Sequence, residues 1–182
     1  AEGSRGGCCF TISDQDADAI MPALRAYAHS ADLDERHERG RNCTMVHLRN
    51  TTKVHGRSHY PNPLINALHR HGLRQGKHIP HSYKTANASR RAELLAGYLD
   101  GDGHLRHGQM DTISVDQQLA EDIAFIARSL GLAAYITPQR KGVAGTGVTD
   151  IYWRVQISGD LSWLPMKVSR KRPGARQQVK RV

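Results

Sequence analysis

The chain has 182 residues, which is enough for one domain or for two small halves that share a core. Its 26 lysines and arginines against 17 acids give a formal net charge of +9, so we expect a polyanionic partner, with nucleic acid as the first candidate. The sequence has no apolar run long enough to cross a membrane, no signal-peptide pattern and three cysteines without metal-ligand spacing, so we expect an intracellular protein, nuclear if the source is eukaryotic.

The first half of the chain predicts a capped helix between strands. Thr11-Ile12-Ser13 ends a strand-like run, and Ser13 with Asp16 predicts a capping box for an amphipathic helix. Residues 43–49 and 53–59 have strand patterns. Pro63 to His71 predicts a further helix that Gly72 closes.

The second half repeats this pattern about a hundred residues later. Thr112-Ile113-Ser114 ends a second strand-like run, and Ser114 with Gln117 again predicts a capping box and a helix. Strands are predicted over residues 109–114, 133–139 and 151–157, followed by a short turn at residues 161–164. The repeated order of strand, Thr-Ile-Ser and helix predicts two packed, pseudo-symmetric halves.

Between the two repeats lies a small-residue helix candidate that ends on acids, Leu95-Ala96-Gly97-Tyr98-Leu99-Asp100-Gly101-Asp102-Gly103. This nonapeptide resembles the signature of the LAGLIDADG homing endonucleases, DNA-cutting enzymes often carried inside inteins and introns. Residues 62–73, 77–80 and 128–132 follow the order seen in intein-borne members. The chain is therefore similar to intein endonuclease domains, and those of eukaryotic host proteins, with fungi as the first candidate, match it best.

The resemblance implies an α+β fold of two αββαββα halves whose signature helices pack at a pseudo-twofold axis, with antiparallel sheets that straddle the DNA. On this basis, residues 1–86 form the first half, 87–166 the second half, and 167–182 a basic tail or linker. The first signature helix should precede Gly3, so we expect the first half to lack most of that helix and the chain to come from a longer polypeptide.

The resemblance also implies a metal-dependent cleavage site at the ends of the two signature helices. Hard divalent cations promote phosphodiester cleavage with carboxylate and carbonyl ligands. Glu2 and Asp102 are the predicted catalytic acids and ligands of Mg²⁺ or Mn²⁺, and the carbonyls of Ala1 and Gly101 are the predicted additional ligands. Asp100 is expected to have a structural role. Glu2 stands where the family usually has Asp, so a DNA-binding protein that has lost cleavage stays an alternative.

Lysines complete the predicted catalytic set. Lys77 matches the family's catalytic lysine just before Ile79-Pro80, and a lysine there could polarise the attacking water or stabilise phosphoryl charge. Lys171 is the predicted counterpart in the second half, with Lys167 as the alternative. The histidine clusters lack the partners and spacing of a zinc module.

Double-stranded DNA is the predicted partner, bound by side chains on or beside the strands, because an antiparallel ribbon fits the major groove. The predicted contacts are Arg5, Lys53, Arg57, Arg106, Gln109, Arg140, Lys141 and Arg154. The protein should act as a monomer, with the splicing module of its parent intein outside this chain. An RNA-splicing maturase on the same fold is the further alternative.

Overall fold

The computed structural model describes residues 8–51, 62–73, 76–142 and 149–175, with the backbone alone at Lys141 and Thr149. The chain divides into two compact units, Ala1–Gln75 and Gly76–Val182. Each unit combines helices with an antiparallel sheet, which confirms the α+β class. The division falls before the expected residue 86, because the segment that begins at Gly76 contacts the helices of the second unit.

The first unit contains a three-stranded antiparallel sheet in the order β1-β3-β2. Its described elements are β1 (Cys8–Ser13), α1 (Ala17–Ser30), β2 (Leu33–Arg39), β3 (Cys43–Asn50) and α2 (Pro63–Arg70). One face of the sheet packs on α1 because Val46 and Leu48 of β3 alternate with polar residues and meet Leu24 and Ala28 of the helix in the core. This confirms the strand expected at residues 43–49, whereas the strand expected at 53–59 lies outside the described residues.

Helix α2 begins as its sequence predicts. The Asn62 side chain accepts a hydrogen bond from Leu64 N at 3.0 Å, and Pro63 takes the first helical position, where a missing N–H costs nothing. Asn62 Nδ2 also donates to Leu48 O at 2.9 Å, so a single side chain both caps α2 and fixes it to β3.

The second unit contains a four-stranded antiparallel sheet in the order β4-β5-β7-β6. Its described elements are α3 (His81–Lys84), α4 (Ala88–Asp102), β4 (His104–Arg106), β5 (Gln109–Ser114), α5 (Gln117–Ser129), β6 (Ala133–Gly142) and β7 (Thr149–Ser158), then a 3₁₀ turn at Ser169–Lys171. From α4 onward the order is helix, two strands, helix, two strands. The core between the helices and the sheet includes the fully buried Leu95, Leu99, Met110, Ile123 and Ile157.

The capping boxes expected at the two Thr-Ile-Ser segments are wrong. Ser13 makes no side-chain capping bond, and α1 begins after Asp16 instead. Ser114 Oγ accepts from Asp116 N at 3.0 Å, which forms a local turn before α5, and Asp116 takes the N-cap position. A serine that bonds two residues onward satisfies a turn rather than the first turn of the helix.

Two strands do not show in the sequence pattern, for different reasons. In β2, the residues after Leu33 are charged or polar and lie mostly exposed at the edge of the sheet, so apolar alternation is absent. Strand β4 has three residues and depends on a two-residue hairpin in which His107 and Gly108 have φ angles of 49° and 73°. Positive φ at both positions is the geometry that matches the twist of paired strands, and glycine adopts it without strain.

Within the described residues, no helix has the length and hydropathy that a membrane span requires.

Candidate active site and nucleic-acid interface

The C-terminal end of α4 presents an acid at a sharply ended helix. Gly103 N donates to Leu99 O at 2.9 Å, and a Cβ atom at Gly103 would come within 2.4 Å of that same oxygen and 2.6 Å of Met110 Cε. Glycine is therefore required where the chain turns from α4 into β4. The carboxylate of Asp102 lies exposed on the last helical residue, as the sequence predicts.

Asp100 is buried two residues earlier and has a structural role. The residue is 5% exposed, and its two carboxylate oxygens accept hydrogen bonds from Lys167 N at 2.8 Å and Val168 N at 3.0 Å. Hydrogen bonds to a charged acceptor are stronger than those between neutral groups. Asp100 therefore fixes the segment after β7 against the end of the signature helix.

Lys171 lies at this same helix end. The residue is 8% exposed, and its Nζ donates to Asp100 O at 2.7 Å and to Gly101 O at 2.8 Å. These are carbonyls of the last helical turn, where the partial negative charge of the helix favours a cation. Residues 167–173 thus pack on the second unit where a tail was expected, since Val168 and Pro173 are also buried.

Tyr98 is a polar neighbour of Asp102 within the same nonapeptide. It is half-buried one helical turn before Asp102, and Thr112 Oγ1 donates to its hydroxyl oxygen at 3.2 Å. Burial raises the pKa of Tyr98, the Thr112 hydrogen bond opposes this, and the charge of Asp102 raises the pKa further. The phenol therefore stays neutral beside the acid.

Lys77 is exposed, and the segment that follows it is anchored to α5. Ile79 N donates to Asp122 Oδ2 at 2.8 Å, and Lys84 Nζ donates to Asp122 Oδ1 at 2.6 Å. Asp122 is 3% exposed, and Ile79 belongs to the core of the second unit. These contacts hold the chain two residues beyond Lys77 at a fixed place.

Several predicted residues lie outside the described part of the chain, namely Ala1, Glu2, Arg5, Lys53 and Arg57, together with the side chain of Lys141. The structure therefore shows the second-half end of the predicted metal site alone. Among the described residues, no group of three His, Cys, Asp or Glu side chains could hold a metal ion. The exposed carboxylate of Asp102 is a hard oxygen donor that fits Mg²⁺ or Mn²⁺, whereas Gly101 O already accepts from Lys171.

Three predicted DNA contacts share the face of the second sheet that points away from the helices. Register places Arg106 beside Gln109 on the β4–β5 edge, and Arg154 lies on β7 opposite Ile113. Gln156 Nε2 donates to Gln109 Oε1 at 2.7 Å across the same face. Arg140 pairs with Ile151 and alternates with Gln139, so its register places it on the opposite face from Arg154.

The sequence patterns missed two groups on these outward faces. Asp111 lies on the outward face of β5 and is 7% exposed, and Arg154 Nη2 donates to its Oδ2. In the first unit, Arg36 of β2 and Arg49 of β3 are exposed on the face away from the core. Alternation of Arg49 with the buried Leu48 was a usable signal, whereas the charged strand β2 gave none for Arg36.

The second unit combines an apolar, glycine-bearing helix that ends on an exposed acid with a sheet whose outward face carries arginine and amide side chains. A family model described as "Homing endonuclease" matches residues 78–178, more than half of the chain. The chain therefore belongs to the homing endonuclease family, whose activity is that of DNA endonucleases.

Solved structures of I-DmoI share this fold. I-DmoI in complex with DNA and Mn matches with a TM-score of 0.52 at 10% identity, over 82% of this chain and 72% of that chain. Mesophilic variants of I-DmoI match with the same score and identity, over 82% of this chain and 67% of that one. A variant of I-DmoI with its target DNA in the presence of Mg also matches at 0.52 and 10%, over 82% and 72%.

A curated relative is the replicative DNA helicase DnaB of Mycobacterium intracellulare. It is 40% identical over 70 residues, which are 38% of this chain and 12% of the helicase. The chain thus spans a small part of that relative.

Proposed function

We propose that this chain is the endonuclease part of an intein and makes a sequence-specific, divalent-metal-dependent double-strand break in DNA. The observation that carries the proposal is the end of α4, where the exposed acid Asp102 follows directly on a carbonyl, Gly101 O, that lies 2.8 Å from the Lys171 ammonium. An acid and an ammonium group at the same helix end can both assist phosphodiester hydrolysis.

Asp102 and, from the first half, Glu2 would hold the divalent cation, with the carbonyl of Ala1 as an additional ligand, whereas Gly101 O accepts from Lys171. When bound, the ion supplies Lewis-acid stabilisation of the phosphoryl oxygens and lowers the pKa of a coordinated water. Support comes from the exposed carboxylate of Asp102 and from the I-DmoI structures, which contain Mn or were obtained with Mg.

The protein's own residues have separate tasks in this proposal. Lys171 places an ammonium group at the helix end that carries Asp102, where it would stabilise negative charge on a phosphate that approaches. Two carbonyl acceptors and burial hold the Lys171 side chain in one conformation, so the position of its charge is fixed. Lys77, which is exposed and precedes the anchored Ile79, is the proposed second catalytic lysine.

Duplex DNA is the proposed substrate of the outward sheet face. Arg106 and Arg154 supply positive charge, Gln109 supplies an amide that can pair with adenine, and the exposed Ile113 and Tyr135 offer apolar contacts for thymine methyl groups. The net charge of +9 supports salt-dependent attraction to phosphates. Both halves lie in one chain, so the proposed active species is a monomer.

An intein origin is supported by the shape of the helicase match. A similarity confined to 12% of a much longer protein with a different named activity is what an insert within an unrelated host would give. The splicing module of that intein is the proposed neighbour of this chain. The mycobacterial source of the relative supports a bacterial host over the eukaryotic one that the sequence resemblance indicated, and hence action on DNA inside a bacterial cell.

A DNA-binding protein without cleavage is the second candidate, and two observations favour it. Glu2 replaces the usual Asp, and Lys171 occupies the Gly101 carbonyl that a metal ion would otherwise use. If this candidate is correct, the protein binds a specific duplex and leaves it intact in the presence of Mg²⁺.

The test begins with selection of bound sequences from a library of randomised duplexes, followed by transfer of the selected site into a supercoiled plasmid. If the chain is an endonuclease, it should convert the plasmid to the linear form with Mg²⁺ and leave it supercoiled with a chelator. Intact plasmid with tight, salt-sensitive binding would favour the second candidate. Failure to select any duplex, together with binding to folded intron RNA, would instead favour the maturase.

A further inference from the structure

Asp111 is an acid placed where a DNA-binding surface should avoid one. Register puts it on the outward face of β5, in one row with His104 of β4 and Gln156 of β7. It is nevertheless 7% exposed, in contrast to Ile113 two residues later on the same face, which is 39% exposed. A negative charge on this face opposes phosphate binding, so its presence calls for a compensating role.

Its partner is a residue suited to base recognition. Arg154 Nη2 donates to Asp111 Oδ2, and the Arg154 side chain remains 27% exposed. The residues in register on either side of Arg154 are Ile113 and Thr137, which carry no charge. The guanidinium is thus drawn along the sheet toward Asp111 rather than toward a residue in its own row.

The donors of arginine make this arrangement useful. Each guanidinium has five N–H groups, and Nη2 contributes one to the pair it forms with Nε and one to the pair it forms with Nη1. When Asp111 occupies one Nη2 hydrogen, the other pair stays complete. Such a pair matches O6 and N7 of guanine in the major groove.

The second carboxylate oxygen of Asp111 shows how it is held. Oδ1 is buried and has no hydrogen-bond partner among the described residues. Burial of a carboxylate with one unbonded oxygen raises the free energy of the folded state, so the hydrogen bond from Arg154 to the other oxygen is strongly favoured. The neighbouring Gln156–Gln109 pair is neutral and bonds amide to amide at 2.7 Å, so the charged pair is a distinct device on this face.

We propose that Asp111 is a positioning residue for base recognition: it orients Arg154 so that the free donor pair of the guanidinium recognises one guanine of the target. This inference rests on the proposed function, since it requires that the outward face of the second sheet binds duplex DNA. Asp111 lowers general affinity for phosphates and in return gives discrimination at one base pair.

The experiment uses the full chain and duplexes selected from a randomised library. Relative affinities are measured for the selected site and for every single-base-pair variant, for the unaltered protein and for Asp111→Asn, Arg154→Lys and Asp150→Asn. Asp150 is the matched control. It carries the same charge as Asp111, lies on the same strand as Arg154, and accepts a hydrogen bond from its own neighbour Ile151 N at 2.8 Å.

The unaltered protein should prefer a G·C pair at one position by about ten- to a hundredfold. Arg154→Lys keeps the positive charge but has no fork, so it should lose that preference alone. Asp111→Asn should reduce the same preference at least about threefold while it binds non-specific DNA as tightly or more tightly. Asp150→Asn should leave the profile of base preferences unchanged.

A uniform loss of affinity at all positions, or an unchanged profile, in either Asp111→Asn or Arg154→Lys would overturn the inference. If Asp111→Asn does not fold, Asp111→Glu takes its place, because it keeps the charge but moves the carboxylate by one methylene and should weaken the same base preference. An unchanged profile in that variant would also overturn the inference. If the unaltered protein selects no duplex at all, the proposed function fails, and this outcome differs from a selected site whose profile the variants do not alter.

Discussion

Among the buried acids of the second unit, Asp100 and Asp111 differ in their surroundings. At the end of α4, Asp100 has both carboxylate oxygens bound to backbone N–H groups of residues 167 and 168. On the outward sheet face, Asp111 has one oxygen bound to a side chain and, among the described residues, no partner for the other. The first arrangement fixes the backbone around the candidate cleavage site. The second holds a side chain that a bound ligand can engage.

The largest effect should come from Asp102, the exposed acid at the proposed cleavage site. Asp102→Asn should reduce plasmid cleavage at the selected site by about a hundredfold or more, because an amide is a poor ligand for a hard cation. Binding of the uncleaved duplex should change little. Glu93→Gln is the control, since Glu93 is an exposed acid on the same helix whose Oε1 accepts from Ser89. Equal loss of cleavage in both variants would contradict a specific role for Asp102.

Asp100 should matter for stability. Asp100→Asn replaces one acceptor by an amide donor that faces a backbone N–H of the 167–168 segment, and it removes the charge from two hydrogen bonds. We expect the free energy of unfolding to fall by about 3 kcal/mol. Urea unfolding with an unchanged m-value is the measurement. A loss below about 0.5 kcal/mol would show that these bonds do not hold the segment.

Substitution of Lys171 and of Lys167 in turn shows which of these two lysines contributes to cleavage. Lys171→Met keeps the length of the side chain but leaves the carbonyls of Asp100 and Gly101 without their ammonium donor. Cleavage should fall about ten- to a hundredfold, as expected for the loss of one positioned charge. Lys167→Met should have little effect, because Lys167 is exposed and its backbone N–H makes the contact with Asp100. The kcat values of the two variants should therefore differ, and a larger loss in Lys167→Met would reverse the assignment.

The smallest effect concerns Tyr98 and alkaline pH. Burial, opposed by the Thr112 hydrogen bond and supported by the Asp102 charge, raises the pKa of Tyr98 above its ordinary value of 10.0. The folded state therefore favours the neutral phenol, and its contribution to stability is complete below pH 10 and is lost as pH rises through the folded-state pKa. Unfolding measured from pH 8 to 11 should show a shallower loss for Tyr98→Phe than for the unaltered protein. Parallel curves would rule out this linkage.

Local pattern was sufficient for much of the fold. Met110 and Thr112 alternate with outward residues in β5, and the small residues of α4 lead directly to Asp102 and Gly103. Strand β2 was not predicted because an edge strand with one buried residue shows no apolar alternation in its sequence. The capping box predicted at Ser114 is wrong because Ser114 Oγ accepts a hydrogen bond from Asp116 N in a local turn before the helix. The sequence motif does not distinguish this turn from a helix cap.

The site was predictable to the extent that it depends on neighbours in sequence. Asp102 follows from the helix and its glycine. The position of Lys171 does not, because its acceptors Asp100 and Gly101 are about seventy residues earlier in the chain. The Asp111–Arg154 pair spans 43 residues and depends on the register between β5 and β7. Such contacts arise from strand pairing and packing, which periodicity alone does not specify.

The most direct test of the central claim is Mn²⁺ binding to the protein–DNA complex at the selected site, followed by electron paramagnetic resonance. We predict that the unaltered complex and Glu93→Gln bind Mn²⁺ equally and that Asp102→Asn loses the bound ion while it keeps the duplex. Full retention of Mn²⁺ by Asp102→Asn would contradict the account, because the acid at the end of α4 would then have no part in a metal-dependent cleavage site.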